Sequence, residues 1–155
     1  MPNYWLMKSE PASYSIDALK RDGKTGWSGV RNYQARNFMR DGMKVGDLIL
    51  FYHSSGDDKN PTGVAGIAKV SKPAHADASA LDKNDDHYDP KSTKEEPIWL
   101  MVEIAFVEKF AKTVTLETLR KTKGLEAMQL LKRGQRLSVQ PVTKEEFEIV
   151  KGLAK

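Results

Sequence analysis

The sequence predicts an α+β fold: five to six short strands with flanking short helices, wound into one strongly curved sheet or pseudo-barrel. Three observations carry this. The apolar runs are short and alternate with capped helical stretches. One strand-like run contains a glycine, Gly66, which marks a bulge or sharp bend. Residues 98–107 are largely apolar on both alternating faces, as expected of a strand covered on two sides. The 155 residues read as a single domain, 1–155, long enough to bury a core and free of repeats or a recognisable linker.

Taken in order, Tyr4–Lys8 is an aromatic and apolar run stopped by Ser9-Glu10-Pro11, and reads as the first strand. Ser15 caps a short helix with Ile16 and Leu19 inward and Gly23 just past its end. Asn32 caps the next helix, Tyr33 to about Arg40, in which Ala35, Phe38 and Met39 follow helical spacing. Leu48–His53 is nearly all apolar and reads as a buried strand; Ser54–Gly63 is a loop, and Val64–Lys72 the strand with the kinking glycine. Residues 73–97 form a long polar stretch, which in a small domain is functional or mobile. In Ile98–Val107, Ile98, Leu100, Val102, Ile104 and Phe106 share one face, and Trp99, Met101, Glu103, Ala105 and Val107 the other. Leu125–Lys132 reads as a short helix stopped by Gly134, with Leu125, Met128 and Leu130 or Leu131 inward. Leu137–Gln140 is a brief strand ended by Pro141. Thr143-Lys144-Glu145-Glu146 is a capping box that opens a last helix with Phe147, Val150 and Leu153 inward.

Composition excludes several chemistries. There is no cysteine, hence no disulfide, thiolate nucleophile or thiolate metal site. His53, His75 and His87 are widely spaced with no HExxH pattern, so no metal is expected. Gly63-Val-Ala-Gly66 lacks the GK[ST] ending of a nucleotide-triphosphate loop. No run reaches the length of a membrane span, and the N-terminus shows no charged region ahead of an apolar one, so neither a membrane nor a signal peptide is expected. The net charge of +4 is uneven: residues 1–50 carry 8 basic and 5 acidic groups, residues 51–100 carry 6 and 9, and residues 101–155 carry 11 and 7. If the basic ends meet, they make one positive face suited to nucleic acid.

Residues 27–40 concentrate the remaining chemistry. Trp27 lies between Thr25-Gly26 and Ser28-Gly29, Asn32 begins a helix, and Arg31, Arg36 and Arg40 lie within ten residues. A heteroaromatic base needs a stacking face, for which Trp27, Tyr33, Tyr52 and Tyr88 are candidates. It needs amides on its edge, and Asn32 and Gln140 are of that type. Its phosphate needs cations, here Arg31 and Arg36, with Arg40 read as surface. Phe38 is assigned to the core. Lys8, Ser9 and Glu10 are base, nucleophile and acid by type, but strand neighbours point to opposite faces and do not converge unaided.

Five segments together resemble the EVE domain family: Tyr4-Trp-Leu-Met-Lys-Ser-Glu-Pro11, Trp27-Ser-Gly-Val-Arg-Asn-Tyr-Gln-Ala-Arg-Asn37, Val45-Gly-Asp-Leu-Ile-Leu-Phe-Tyr-His-Ser54, Tyr88-Asp-Pro-Lys-Ser92 and Arg136-Leu-Ser-Val-Gln-Pro141. The resemblance implies a PUA-like pseudo-barrel related to the YTH readers of methylated adenine. It also implies a non-enzymatic reader of a modified base, chiefly modified cytosine in DNA, without a cofactor. By motif, the base pocket would draw on Lys8, Ser9, Glu10, Trp27, Val30, Arg31, Asn32, Tyr52, His53, Ser138 and Gln140. Two alternatives accompany this reading. One is a PUA-type RNA-binding module. The other is an amidohydrolase of the related ASCH kind acting on a modified cytidine through Lys8, Ser9 and Glu103, which requires Glu103 to point into the pocket. Such a reader is expected in the cytoplasm with access to the nucleoid in a prokaryote, and in the nucleus in a eukaryote.

Overall fold

The computed structural model describes residues 3–132 and 137–154. Gly134, expected to stop a helix, and Arg136, which opens the last motif, lie outside the described residues, as do Met1 and Pro2. Six strands make one sheet: β1 (Tyr4–Ser9), β2 (Lys24–Trp27), β3 (Leu48–His53), β4 (Gly63–Ala76), β5 (Leu100–Thr115) and β6 (Val139–Val142). Their order across it is β2-β5-β4-β3-β1-β6. β1 and β3 are parallel, from Tyr4↔Leu48 to Ser9↔His53. The other pairs are antiparallel. β2 and β6 are edges that do not pair with each other, so among the described residues the expected barrel is not closed. The helices are α1 (Ile16–Asp22), α2 (Tyr33–Asn37), α3 (Ala78–Leu81), α4 (Leu116–Lys121) and α5 (Lys144–Leu153); α2 runs on into a π turn over Phe38–Gly42. Among the described residues no helix is long and apolar enough to cross a membrane.

The caps read from the sequence are in place. Ser15 accepts from the Ala18 N–H, Asn32 from the Ala35 N–H, and Thr143 forms the full capping box with Glu146. β1 and β3 alternate between two cores. Trp5, Met7, Ile49 and Phe51 pack with Ile16, Leu19, Ala35 and Met39 of the first helices. Leu6, Leu50 and Tyr52 pack with Leu119, Phe147 and Val150 of α4 and α5. A period of two buried on both sides makes a continuous apolar run, which is how Leu48–His53 reads.

Two-sided burial was expected of residues 98–107 as well, and there the structure differs. Val102 and Ile104 are buried, Met101, Glu103 and Ala105 are half-buried, and Val107 is exposed. Phe106 pairs with Ala68 but Glu108 with Ile67, so Val107 is an extra residue. One extra residue flips every side chain beyond it. Ile104 therefore serves the first core, and Phe110 and Val114 the second. The bulge at Gly66 occurs as expected: the pairing of both neighbouring strands shifts there. A Cβ at Gly66 would strike the Glu108 carbonyl.

Other boundaries moved for local reasons. Residues 125–132 hold successive three-residue turns and one 3-10 turn, Gln129–Leu131, in place of a helix, although Leu125, Met128 and Leu130 are buried as expected. α4, capped by Thr115, has no counterpart in the sequence reading. Pro141 lies inside β6 and does not end it, because an edge strand tolerates a residue without an N–H. Leu153, at the last turn of α5, is exposed.

Candidate functional site

A cavity of about 450 Å³ opens beside the end of β1, a size typical of small-ligand sites. β1 supplies Lys8 and Ser9, the following turn Ser13 and Tyr14, β2 Thr25 to Trp27, and the glycine turn Ser28 to Arg31; Ser138, whose carbonyl accepts from the Lys8 N–H at 2.8 Å, completes the wall. Trp27 is the last residue of β2 and pairs with Val102, which directs it to the core face of the sheet. Its ring is half-buried and stands perpendicular to Phe51, with centroids 5.7 Å apart. One ring thus both packs on the core and lines the cavity.

The turn after Trp27 is held from below by Asp77, whose side chain is fully buried. Its carboxylate accepts from the Gly29 N–H at 2.8 Å, from Arg31 Nη1 at 3.1 Å, and from the Ser79 N–H and hydroxyl at 2.8 and 2.6 Å. Burial alone would push this carboxyl up. The hydrogen bonds from Ser79, Gly29 and Arg31 outweigh burial and hold it below the usual carboxylate range. Gly29 has φ +84°, and a Cβ there would lie 3.2 Å from the His87 ring, so the turn requires glycine. Arg31 also donates to the His87 carbonyl at 2.7 Å and stacks over Trp99 at 5.3 Å. Residues 73–97 are in this way fastened to the cavity's rim. Trp99 Nε1 donates to Asp89 at 2.7 Å, and buried Ser92 accepts from the Ile98 N–H, adding two further ties.

Lys8 is a residue of the cavity wall, but it pairs in register with Tyr52 and its ammonium lies toward that ring. It lies 6.0 Å from the centre of the Tyr52 ring, and burial depresses its ammonium below the ordinary lysine value. No carboxylate pairs with it among the described residues. Ser9 donates its hydroxyl to the Tyr14 carbonyl at 2.7 Å. Tyr14 in turn donates to Asp22 at 2.9 Å; burial first, and that bond second, raise its phenol.

The EVE domain profile matches residues 3–153. The chain belongs to the EVE domain family. Rat thymocyte nuclear protein 1 is 44% identical over 172 residues, which span 99% of this chain and 74% of the relative. A crystal structure of a Pseudomonas syringae protein superposes with a TM-score of 0.92 at 45% identity, covering 98% of this chain and 99% of that one. The human THYN1 protein, in a complex with DNA containing 5-methylcytosine, superposes at 0.88 with 41% identity, covering 99% and 98%. An ASCH protein of Zymomonas mobilis, 12% identical at a TM-score of 0.57, shares the fold alone.

In this EVE domain the residues singled out by sequence divide. Lys8, Ser9, Trp27, Val30, Arg31 and Ser138 line one cavity. Asn32 is exposed and spends its side-chain oxygen on the α2 cap, 3.0 Å from the Ala35 nitrogen. Glu10 is exposed, and its carbonyl closes the turn by accepting from Ser13 and Tyr14. Tyr52 faces the second core, across the sheet. His53 is buried and accepts from the Ile16 N–H at 3.0 Å. Gln140 is buried and donates to the Leu137 carbonyl at 2.8 Å. Asn32, Glu10, Tyr52, His53 and Gln140 are therefore not among the residues lining this cavity, contrary to expectation. Arg31 is neutralised by Asp77, so it is a strut and not a free phosphate ligand. Arg36 bonds Asn37 and the Ile98 carbonyl and stacks over Tyr33 at 4.9 Å, so three of its donors are used inside the fold while its charge has no carboxylate partner among the described residues. Glu103 sits half-buried on β5, bound by Ser71 at 2.8 Å and near Lys72 and Lys24. It is absent from the cavity wall, so the condition for the amidohydrolase alternative is not met.

Sequence reasoning missed Ser13, Tyr14, Thr25, Gly26, Ser28 and Gly29 as wall, and Asp77 as its support. Asp77 had a signal: an Asp two residues before Ser79 at a helix start is an Asx cap. The others are a tyrosine, three hydroxyl residues and two glycines whose role depends on where the turns are carried.

Proposed function

We propose that this protein is a non-enzymatic reader of a modified base, most specifically modified cytosine in DNA, which is flipped into the cavity beside Trp27. The observation that carries the reading is the half-buried Trp27 ring at the wall of a 450 Å³ cavity lined by hydroxyl side chains and a glycine turn. The ring supplies a stacking face. The hydroxyls of Thr25, Ser28 and Ser13 and the backbone of the glycine turn supply donors and acceptors for the base edge. Flipping a base costs a few kcal/mol, and stacking on an aromatic ring returns about 1–3 kcal/mol. Phosphate contacts must make up the difference, so binding depends on salt. The human relative's complex with DNA containing 5-methylcytosine supports the partner class. In a eukaryotic cell this reading puts the protein in the nucleus, and in a prokaryote in contact with the nucleoid.

The test is titration of matched DNA duplexes that differ only in cytosine modification, with an RNA of the same sequence as competitor. Expected is tighter binding of the modified DNA. Equal affinity for both duplexes would refute the modified-base reading, and preference for the RNA would point to the general RNA-binding alternative.

A further inference from the structure

A second cavity, of about 390 Å³, lies on the other side of the segment that walls the first. Ser13 and Tyr14 line the first cavity; Ile16 and Asp17 line the second. Ser9 and His53 are neighbours across the parallel β1–β3 pair and line one cavity each. The second wall also carries three lysines, Lys59 from the loop before β4 and Lys109 and Lys112 from β5, among neutral residues such as Asn60, Phe110 and Thr113. The nearby acids are engaged. Asp17 pairs with Lys109 at 2.6 Å. Asp57 accepts from the backbone N–H groups of Lys59 and Asn60 at 3.0 and 2.7 Å. Lys59 and Lys112 have no carboxylate partner among the described residues.

His53 adds an independent sign of a ligand. Its ring is 1% exposed, and Nε2 accepts from the Ile16 N–H, so the neutral ring carries its proton on Nδ1. That N–H has no partner among the described residues. Buried donors are normally satisfied, and an unmatched one beside a cation-lined cavity calls for an acceptor from outside the chain.

We propose that this second cavity takes a backbone phosphate of the same strand whose modified base occupies the Trp27 cavity. Lys59 and Lys112 then supply the charge that Arg31 spends on Asp77. The proposal rests on the base-reading function above, and its test separates the two.

Both lysines are exposed, so Lys59→Ala/Lys112→Ala is expected to fold with an unchanged thermal midpoint. As a control, Lys123→Ala/Lys151→Ala removes equal charge at exposed positions away from both cavities. Each protein is titrated with the matched modified and unmodified DNA from about 50 to about 200 mM salt, the range over which phosphate contacts are strongly felt. Expected for the Lys59/Lys112 variant is a roughly tenfold loss of affinity at the lowest salt, and a slope of log K against log salt smaller by roughly 1 to 2. The ratio of modified to unmodified binding stays the same. An unchanged slope, or an equal change in the control variant, would overturn the phosphate site. If the wild-type protein instead shows no preference for the modified DNA, the base reading fails, while a loss of slope confined to Lys59/Lys112 still supports the phosphate contact.

Discussion

Residues 27–30 and residues 31–36 are neighbours in the chain and look equally fit for nucleic acid, yet the fold uses them differently. The first group forms cavity wall: Trp27 is half-buried, Ser28 and Gly29 turn the chain, and Val30 seals the wall against the first core. The second group carries the most obvious ligand-binding side chains and spends nearly all of them at home. Arg31 is tied to Asp77, Ser79 and the His87 carbonyl, Asn32 to the α2 cap, and Arg36 to Asn37 and the Ile98 carbonyl. Chemical type tells what a side chain is able to do. Its partners decide what is left for a ligand.

The largest effect that sharpens this contrast is expected at Asp77. Asp77→Ala removes a fully buried carboxylate and strands the Arg31 guanidinium and the Gly29 N–H. A loss of about 3 kcal/mol is expected, since breaking a buried pair from one side leaves an uncompensated charge. Chemical denaturation measures it, and a loss below about 1 kcal/mol would remove Asp77 as the support of the turn. The same carboxylate makes a pH prediction. Its folded pKa lies below the ordinary 3.8, so its contribution is present above that value and is lost as pH falls through the folded pKa. Acid titration of stability in wild type and Asp77→Asn is expected to converge below that window and to diverge above it.

Gly29→Ala comes next. Placing a side chain at φ +84° costs about 1–2 kcal/mol, and the His87 ring must also give way. A thermal midpoint equal to wild type would show that the turn relaxes freely. The smallest effect is at Asn32. Asn32→Ala is expected to cost about 1 kcal/mol through the lost helix cap and to leave discrimination between modified and unmodified DNA intact. Lost discrimination at unchanged stability would return Asn32 to the base-reading role the sequence first suggested.

Much of the fold was legible because it rests on local rules. The caps at Ser15, Asn32 and Thr143, the buried run Leu48–His53 and the bulge at Gly66 each follow from a few consecutive residues. What was not legible depends on pairing between distant strands. The extra residue at Val107 reverses the faces of β5, and no pattern within 98–107 announces it. The edge position of β6, which lets Pro141 sit inside a strand, is likewise a property of the whole sheet. The site divides the same way. Lys8, Ser9, Trp27, Val30, Arg31 and Ser138 were named from sequence and line one cavity. Gln140 donates to the Leu137 carbonyl inside the fold, and a buried polar residue serving the backbone has the same letter as one serving a ligand; His53 lines the second cavity and not the first.

The central claim is that the Trp27 ring reads the base while the residues after it hold the turn. The most direct measurement is the free-energy difference between binding 5-methylcytosine DNA and unmodified DNA, in wild type and in Trp27→Ala, with folding stability followed in parallel. Expected is a loss of roughly 1–3 kcal/mol in binding to the modified DNA, with preference for it largely abolished in a protein that remains folded. Undiminished preference in Trp27→Ala, or a variant that unfolds without selective loss of binding, would contradict the claim and return Trp27 to the core.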